Sequence, residues 1–506
     1  MATFTLDQVR QHNTASSCWV IIRNAVYDVT KFLSDHPGGK KSILIVAGKD
    51  ATEKFDTIHP EGTLEENLNA ITKLGELADS EEASRTVSPT NEKNLLLPSA
   101  AIVTPQDMLN LHDFEKHAQE TLSKKAWAYY FSATDDMSTK SFNHEIFRTV
   151  LFRPRIFRDI VRTDTSSEIV GVKTSLPLFV SPAALARLAH PDGEKAIARA
   201  CGRHGILQIV SNNSSLRYGD VVAAKVARDQ PFAFQLYVQN DRSKSEKQLR
   251  DVIDAGCKAV VLTLDAPTPG KRELDERVGR EEAKQAGAAF GDGADDDEPL
   301  SGGSGLGANT SGGVGNALFQ GTAGDLVWQD LVWLRNQLPD DVKIVLKGLQ
   351  TVEDAVLAVN QVDHRTGQPL VHGILLSNHG GRALEGAPPS LLVLEELRLY
   401  APQVFDKVEV YIDGGIRRGT DVVKALCLGA KQVGIGRPAL TALAGGFGER
   451  GVSRTIEILR KEILTAIKLL GVNDLSQLGP HFVNTRQLDQ LIGPNPFQAE
   501  YLKAKL

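Results

Sequence analysis

From about residue 104 onward the chain alternates short apolar runs with stretches of helical length. The runs are Leu178-Phe179-Val180, Leu207-Gln208-Ile209-Val210, Phe232-Ala233-Phe234-Gln235-Leu236, Ala259-Val260-Val261-Leu262-Thr263-Leu264, Lys343-Ile344-Val345-Leu346, Gly373-Ile374-Leu375-Leu376, Val408-Glu409-Val410-Tyr411-Ile412 and Gln432-Val433-Gly434-Ile435. Short, nearly continuous apolar runs between polar turns read as strands buried on both faces. Stretches such as Gly193–His204 and Thr351–Asn360 supply the helices between them. Repeated strand–helix units of this kind predict an α/β fold, a (β/α)8 barrel. An open doubly wound sheet is the alternative, but no G-x-G-x-x-G opens an early unit.

The first 78 residues follow another rhythm. Trp19-Val20-Ile21-Ile22 and Ala25-Val26-Tyr27-Asp28-Val29 are strand-like and flank Arg23-Asn24. Helical pieces follow, broken at Pro37-Gly38-Gly39 and at Pro60-Glu61-Gly62. This predicts a small α+β domain over residues 1–78. Residues 79–103 turn polar and irregular, the composition of a linker. Within the barrel segment, 104–485, residues 275–324 are rich in glycine and aspartate and poor in apolar side chains. They are expected to form a mobile excursion after the fourth strand. The spacing of its aspartates and glycines does not fit a calcium loop. Residues 486–506 are left as a C-terminal tail.

Bulk composition narrows the class. The chain has 506 residues, 42% hydrophobic and 24% charged, with a net charge of -6. Those are values for a soluble globular protein, and they give no support for nucleic-acid binding. No apolar stretch approaches the roughly 18 residues needed for a membrane span. Cys18, Cys201, Cys257 and Cys427 stand alone in sequence, which predicts reduced core residues without disulfides or covalent haem attachment. Met1–Arg10 has no leader pattern. The final Ala504-Lys505-Leu506 is a near variant of the Ser-Lys-Leu peroxisomal address, so peroxisomal localisation is expected, with the mitochondrial intermembrane space or cytosol as alternatives.

Barrel chemistry collects at the C-terminal ends of the strands. There the chain offers Ser181-Pro182-Ala183-Ala184, then Ser211-Asn212-Asn213, then Gln235 and Tyr237, then Thr263 and Asp265 with Arg272 beyond. The fifth strand ends in Lys347-Gly348, and the sixth in Ser377-Asn378-His379-Gly380-Gly381-Arg382. The seventh runs into Asp413-Gly414-Gly415-Ile416-Arg417-Arg418-Gly419 and the eighth into Gly436-Arg437-Pro438. A histidine titrating near neutrality stands three residues before a fork-shaped cation suited to a carboxylate. The glycines after the last two strands sit where barrels commonly bind phosphate.

These motifs, together with Ala126-Trp127-Ala128-Tyr129-Tyr130 and Leu262-Thr263-Leu264-Asp265-Ala266-Pro267, resemble the FMN-dependent L-2-hydroxy acid dehydrogenase/oxidase family over residues 105–480. The resemblance implies FMN as cofactor and roles for individual residues. His379 would be the base and Asp265 its orienting acid. Arg382 and Arg272 would hold the substrate carboxylate with help from Tyr129, and Tyr237 would bond the substrate hydroxyl. Lys347 would face the N1/O2 edge of the flavin. Ser211, Gln235, Thr263 and Ser377 would line its ring system, with Pro182, Ala183 and Ala184 along the face. Asp413, Gly414, Gly415, Arg417, Gly436 and Arg437 would form the phosphate end.

The N-terminal unit resembles cytochrome b5. His36-Pro37-Gly38-Gly39 matches a haem-ligand motif of that fold and His59 follows it, which implies haem b held by His36 and His59. A b5-like unit ahead of such a barrel resembles the flavocytochrome b2 type of the family, with L-lactate dehydrogenase (cytochrome) activity. Two departures stand out. The turn after Tyr130 reads Phe131-Ser132-Ala133-Thr134 where the family usually has Ser-Gly-Ala. Asn213 stands where lactate- and glycolate-specific members carry an apolar or aromatic contact.

Three functions remain open on the sequence. The first is a dehydrogenase passing electrons from FMN to haem to an acceptor such as cytochrome c. The second is an oxidase using oxygen. The third is a haem-binding electron carrier with an inactive barrel, against which the intact His379, Arg382, Lys347 and Asp265 set argues. A small 2-hydroxy acid is the expected partner, and a homo-oligomer, a tetramer by resemblance, is the expected assembly.

Overall fold

In the computed structural model, residues 2–36, 40–60, 62–67, 71–78, 103–285, 314–319 and 321–498 are described. The linker over 79–102, the Gly-rich part of the excursion over 286–313 and the C-terminal Ala504-Lys505-Leu506 lie outside them. Two compact units are distinguished: Met1–Thr104 with Leu274–Gln320, and Pro105–Glu273 with Gly321–Leu506.

In the first unit, strand Ser17–Ile22 alternates its side chains between two faces. Cys18, Val20 and Ile22 join one cluster with Leu33, Ala47, Ala51 and Leu64, while Ile21 joins Val9, Val26 and Leu77 on the other. The hairpin with Ala25–Asp28 turns through Arg23 and Asn24, both at positive φ, where the sequence places the break. Ala2–Phe4, Thr72–Leu77 and Asn13–Thr14 complete a five-stranded sheet. Those three strands carry too few consecutive apolar residues to be legible beforehand. Within 275–324, Glu273–Gln285 is a helix. Its Glu, Arg, Ala, Lys and Gln content favours that state over the expected loop.

The second unit is the closed parallel barrel foreseen from the apolar runs. Its strands are β1 (Leu178–Val180), β2 (Leu207–Val210), β3 (Phe232–Leu236), β4 (Ala259–Thr263), β5 (Lys343–Leu349), β6 (Gly373–Leu376), β7 (Glu409–Asp413) and β8 (Gln432–Ile435). β8 pairs back onto β1 through Gly434 and Phe179. Apolar side chains fill the lower interior: Phe179, Leu207, Ile209, Ala233, Val261, Val345, Leu375 and Tyr411 pack with Ile169. Ile169 belongs to a hairpin, Ser167–Ile169 with Val172–Thr174, that stops one end of the barrel. At the other end the strand tips change to buried polar residues: Ser181, Ser211, Gln235, Thr263, Lys347, Ser377 and Asp413.

Three helices precede β1: α1 (Leu111–Thr121), α2 (Lys124–Phe131) and α3 (Ser138–Glu145). The first two have side-chain N-caps, Asn110 and Ser123. α3 instead starts after Met137 at φ 60 without a cap from its own segment. Glu385, from the loop after β6, accepts from the Ser138 amide at 2.8 Å and supplies the missing partner. The four cysteines are buried and free, as expected. Among the described residues no helix is long and apolar enough to cross a membrane.

Candidate active site at the barrel mouth

The centre of the mouth is a line of three side chains from β3, β4 and β6. Asp265 Oδ1 lies 2.9 Å from His379 Nδ1, and Tyr237 OH lies 3.4 Å from His379 Nε2. Burial alone would raise the Asp265 carboxyl, but Lys347 and His379 outweigh it and hold it below the usual carboxylate range. An ionised carboxylate only accepts, so Nδ1 of His379 carries the hydrogen and Nε2 presents a lone pair. Burial lowers the His379 imidazole below its ordinary value, against the opposing pull of Asp265. The ring is therefore neutral near pH 7, as a base must be. Burial, then Asp265, push the Tyr237 phenol far up, so it remains a donor.

Backbone conformation delivers His379 to this position. The residue sits at φ 59, in the left-handed region that a side chain with a Cβ seldom adopts. Its amide donates to Ser377 Oγ at 3.1 Å. Asn378, fully buried beside it, exchanges two amide hydrogen bonds with Asn143 of α3, at 2.9 and 2.7 Å. Asn378 also bonds the Pro388 carbonyl and the Gly381 amide. The strained turn is thus held from both sides.

Lys347 reaches the mouth through a bulge. β5 shifts register between Lys347 and Leu349, and Gly348 takes φ 101 there. A Cβ at Gly348 would stand 2.6 Å from the Asp265 side chain, so only glycine fits. Lys347 Nζ donates to Ser377 Oγ at 3.0 Å and lies 3.7 Å from Asp265 Oδ2.

The residues expected to hold a carboxylate, Arg272, Arg382 and Tyr129, border this line. Arg272 is buried, and its charge reaches both Tyr237 and His379, while Tyr237 also feels Tyr129 and Arg382. Arg382 stacks over the Tyr129 ring at 5.0 Å. Its Nη1 donates to the carbonyls of Tyr129 and Ser132 at 2.8 and 3.1 Å, so half of the fork is already committed.

The fit to FMN rests on polar atoms that the protein buries without partnering. Gln235 Oε1 accepts from Ser211 Oγ and the Asn212 amide, yet Gln235 Nε2 has no hydrogen-bond partner among the described residues. Thr263 Oγ1 and Arg417 Nη1 are likewise unpartnered there. Leaving such groups dry costs about 1–3 kcal/mol each. A ligand with carbonyl, ring-nitrogen and phosphate acceptors would satisfy them, so these residues fit FMN. Pro182, Ala183 and Ala184 follow β1 as half-buried residues beside this region.

At the phosphate end the residues divide. Gly414 and Gly415 take φ 92 and 77. A Cβ on Gly415 would fall 1.9 Å from the Asn143 carbonyl, so its role is close packing with α3, while a Cβ on Gly414 or Gly436 would make only van der Waals contacts at 3.7–4.0 Å, with Asn143 and Asn378 or with Ser181. Arg417 pairs with Glu115 of α1 at 2.6 Å. Two of the residues expected here also make contacts within the protein. Asp413 accepts from Ser181 Oγ at 3.0 Å, tying β7 to β1. Arg437 spends Nε, Nη1 and Nη2 on the carbonyls of Tyr130, Gly380 and Ser132. It clamps the Phe131–Thr134 turn to the β6 loop, a function set by the path of α2 and invisible in the Gly436-Arg437-Pro438 motif. Asn143, Glu115 and His144, whose Nδ1 lies 3.1 Å from the Gly415 carbonyl, were not foreseen. They lie on helices ahead of β1, away from any strand end.

In the first unit, His36 and His59 face each other with ring centroids 5.9 Å apart. Two imidazole–metal bonds of about 2 Å each fit that spacing. The Nδ1 of His59 donates to the Phe55 carbonyl at 3.2 Å, which leaves Nε2 as the ligand nitrogen. Burial, then His36, bring the His59 imidazole down to about 4, so it is neutral. Phe55 stacks on His59, and Phe32 meets His36 edge-on. The pair fits a haem, whose ring supplies the remaining ligands. Pro37-Gly38-Gly39 lies outside the described residues. Among those described, no group of three or more His, Cys, Asp or Glu side chains is placed to hold a bare metal ion.

Comparison with known proteins gives the same two parts. Residues 118–485 match the model of the FMN-dependent dehydrogenase family, and residues 5–78 that of the cytochrome b5-like heme/steroid binding domain. The chain is 38% identical to the L-lactate dehydrogenase (cytochrome) of Wickerhamomyces anomalus, across 96% of this chain and 80% of that protein. It is 37% identical to 2-hydroxyacid oxidase 2 of Bos taurus across 75% of this chain and 99% of that one. Among solved structures, a mutant flavocytochrome b2 with pyruvate bound matches with a TM-score of 0.66 and 34% identity, covering 80% of this chain and 93% of that chain.

Proposed function

Because the chain belongs to the FMN-dependent dehydrogenase family and carries a cytochrome b5-like domain ahead of its barrel, we propose that it oxidises an L-2-hydroxy acid of the lactate kind to the 2-oxo acid and passes the electrons, through FMN and a b-type haem, to an acceptor such as cytochrome c. The observation that carries this reading is the Asp265–His379–Tyr237 line, with a neutral Nε2 facing a phenol that stays protonated. Arg272 and the free half of the Arg382 fork take the substrate carboxylate. Tyr237 bonds the substrate oxygen. His379 Nε2 receives a proton from the substrate, and Asp265, 2.9 Å from Nδ1, stabilises the imidazolium that results. FMN, when bound, supplies the two-electron acceptor. Gln235, Thr263 and Lys347 would hold its ring edge, and Lys347 would supply a cation to offset the negative charge that reduction builds. His36 and His59 hold the haem.

The test is anaerobic mixing of the purified protein with L-lactate, L-glycerate and glycolate while flavin and haem absorbance are followed separately. Flavin bleaching followed by haem reduction, and then by reduction of added cytochrome c, supports the reading. Flavin bleaching with haem left oxidised would replace it by the oxidase reading, which the similarity of the barrel to 2-hydroxyacid oxidase 2 favours. Ala504-Lys505-Leu506 supports peroxisomal import, and Asn213 beside Asn212 at the tip of β2 supports a substrate with a polar side chain. A homotetramer is the assembly the family resemblance supports.

A further inference from the structure

Helix α2 ends on four carbonyls the helix cannot use, those of Tyr129, Tyr130, Phe131 and Ser132. Three cations take them. Arg382 bonds Tyr129 and Ser132, Arg437 bonds Tyr130 and Ser132, and Lys140 Nζ donates to the Phe131 carbonyl at 2.8 Å. The negative end of the helix dipole favours all three. Lys140 also lies 3.0 Å over the Phe131 ring, so the residue that departs from the family pattern after Tyr130 supplies both of its contacts.

Lys140 belongs to the face of α3 that borders the phosphate end of the mouth. Asn143 and His144, three and four positions on, touch Gly415 through a carbonyl packed against its Cα and a ring nitrogen 3.1 Å from its oxygen. A Cβ on Gly381 would meet the Lys140 amide at 2.8 Å. The charges that act most strongly on the ammonium are those of Arg437, Glu115, Arg417 and Arg382. Glu115 is the lone carboxylate among them, and it is already paired with Arg417. Burial and the three arginines bring the amine down to about 7. Among the described residues, these four cations against one carboxylate, with Arg417 Nη1 buried and unpartnered, make a site short of negative charge.

We propose that Lys140 is an additional cation of the FMN phosphate subsite, binding the phosphate monoester in its protonated form. This deepens, and rests on, the FMN reading above. The sign of the pH dependence follows. The phosphate is a dianion above pH 7, so its own ionisation adds no slope there. The free lysine loses its proton as the pH rises past about 7, and binding must restore it. FMN affinity therefore falls with rising pH, by up to about tenfold per unit.

The experiment titrates the full chain, freed of flavin, with FMN and with riboflavin from pH 7 to 9, read by flavin fluorescence. Wild type, Lys140→Met and Lys140→Arg are compared. Lys140→Met is expected to weaken FMN by about 10- to 100-fold at pH 7, the size of a lost charge-assisted hydrogen bond, and to flatten the pH dependence. Lys140→Arg is expected to keep tight FMN binding with no slope. Riboflavin, which lacks the phosphate, should bind all three alike. Parallel loss of riboflavin, wild-type FMN affinity in Lys140→Met, or failure of Lys140→Arg to restore binding would each overturn the inference. If wild type binds neither flavin, the FMN reading itself fails, a distinct outcome.

Discussion

Asp265 Oδ1 and His379 Nδ1 meet at 2.9 Å across the mouth of the barrel, although they follow β4 and β6, which are not neighbours. β5 lies between them and avoids the contact only because it bulges at Gly348, whose bare Cα lets Asp265 pass. The register of one strand thus decides the tautomer of a histidine on another.

Replacing Asp265 by Asn should test that dependence. An amide can donate as well as accept, so Nδ1 is no longer obliged to hold the hydrogen. Flavin reduction should slow by about 10²- to 10⁴-fold. The pH profile should also move. Activity requires neutral His379, so the rate rises with pH through a value already held below the ordinary histidine range by burial. Removing the Asp265 charge, which pulls that value up, should carry the acidic limb to still lower pH. A limb that stays in place would exclude His379 as its source.

Arg382→Lys should fail for two reasons rather than one. An ammonium cannot grip a carboxylate with two parallel hydrogen bonds, and a shorter reach would also release the Tyr129 and Ser132 carbonyls that Nη1 now serves. KM for the hydroxy acid should rise and kcat fall, each by about tenfold or more. Steady-state kinetics on the FMN-loaded protein separate the two. An unchanged KM would remove Arg382 from the carboxylate.

The barrel and most of its mouth were legible because parallel strands buried on both faces appear as unbroken apolar runs, and the chemistry follows directly after them. His379, Asp265, Tyr237 and Lys347 all meet where their strand positions place them. What the sequence hid depends on elements that arrive from elsewhere. Arg437 is drawn to carbonyls by the end of α2, and Asp413 is drawn to Ser181 by closure of the barrel. Glu115 and Asn143 reach the site from helices whose pattern predicts only amphipathic packing. The hairpin Ser167–Thr174 stops the barrel with two strands too short to register as an alternation.

Asn143→Ala should expose the value of that hidden pairing. It removes both amide bonds to Asn378 and leaves a fully buried carboxamide with fewer partners. Stability should drop by about 1–3 kcal/mol. Because Asn378 adjoins His379 at its left-handed φ, flavin reduction should also slow, and Asn378→Ala should add little to the loss in the double variant. Chemical denaturation and single-turnover flavin reduction on both single variants and the double measure the coupling. Additive losses would show that the pair does not act as a unit.

The histidine pair of the first unit gives the remaining prediction. His36 and His59 are 5.9 Å apart, centroid to centroid, and the Nδ1 of His59 is fixed by the Phe55 carbonyl, so the His59 ring has its Nε2 to offer. His36→Ala or His59→Ala would leave five ligands at most, and the b-type absorbance should be lost or strongly reduced in each. Flavin reduction by substrate should survive, because none of Asp265, Tyr237 and His379 belongs to that unit. Cytochrome c reduction should fall with the haem. Optical spectra and stopped-flow flavin bleaching on the same preparations decide it: full haem occupancy in both variants would sink the ligand assignment, and cytochrome c reduction persisting without haem would show that electrons leave the flavin by another route.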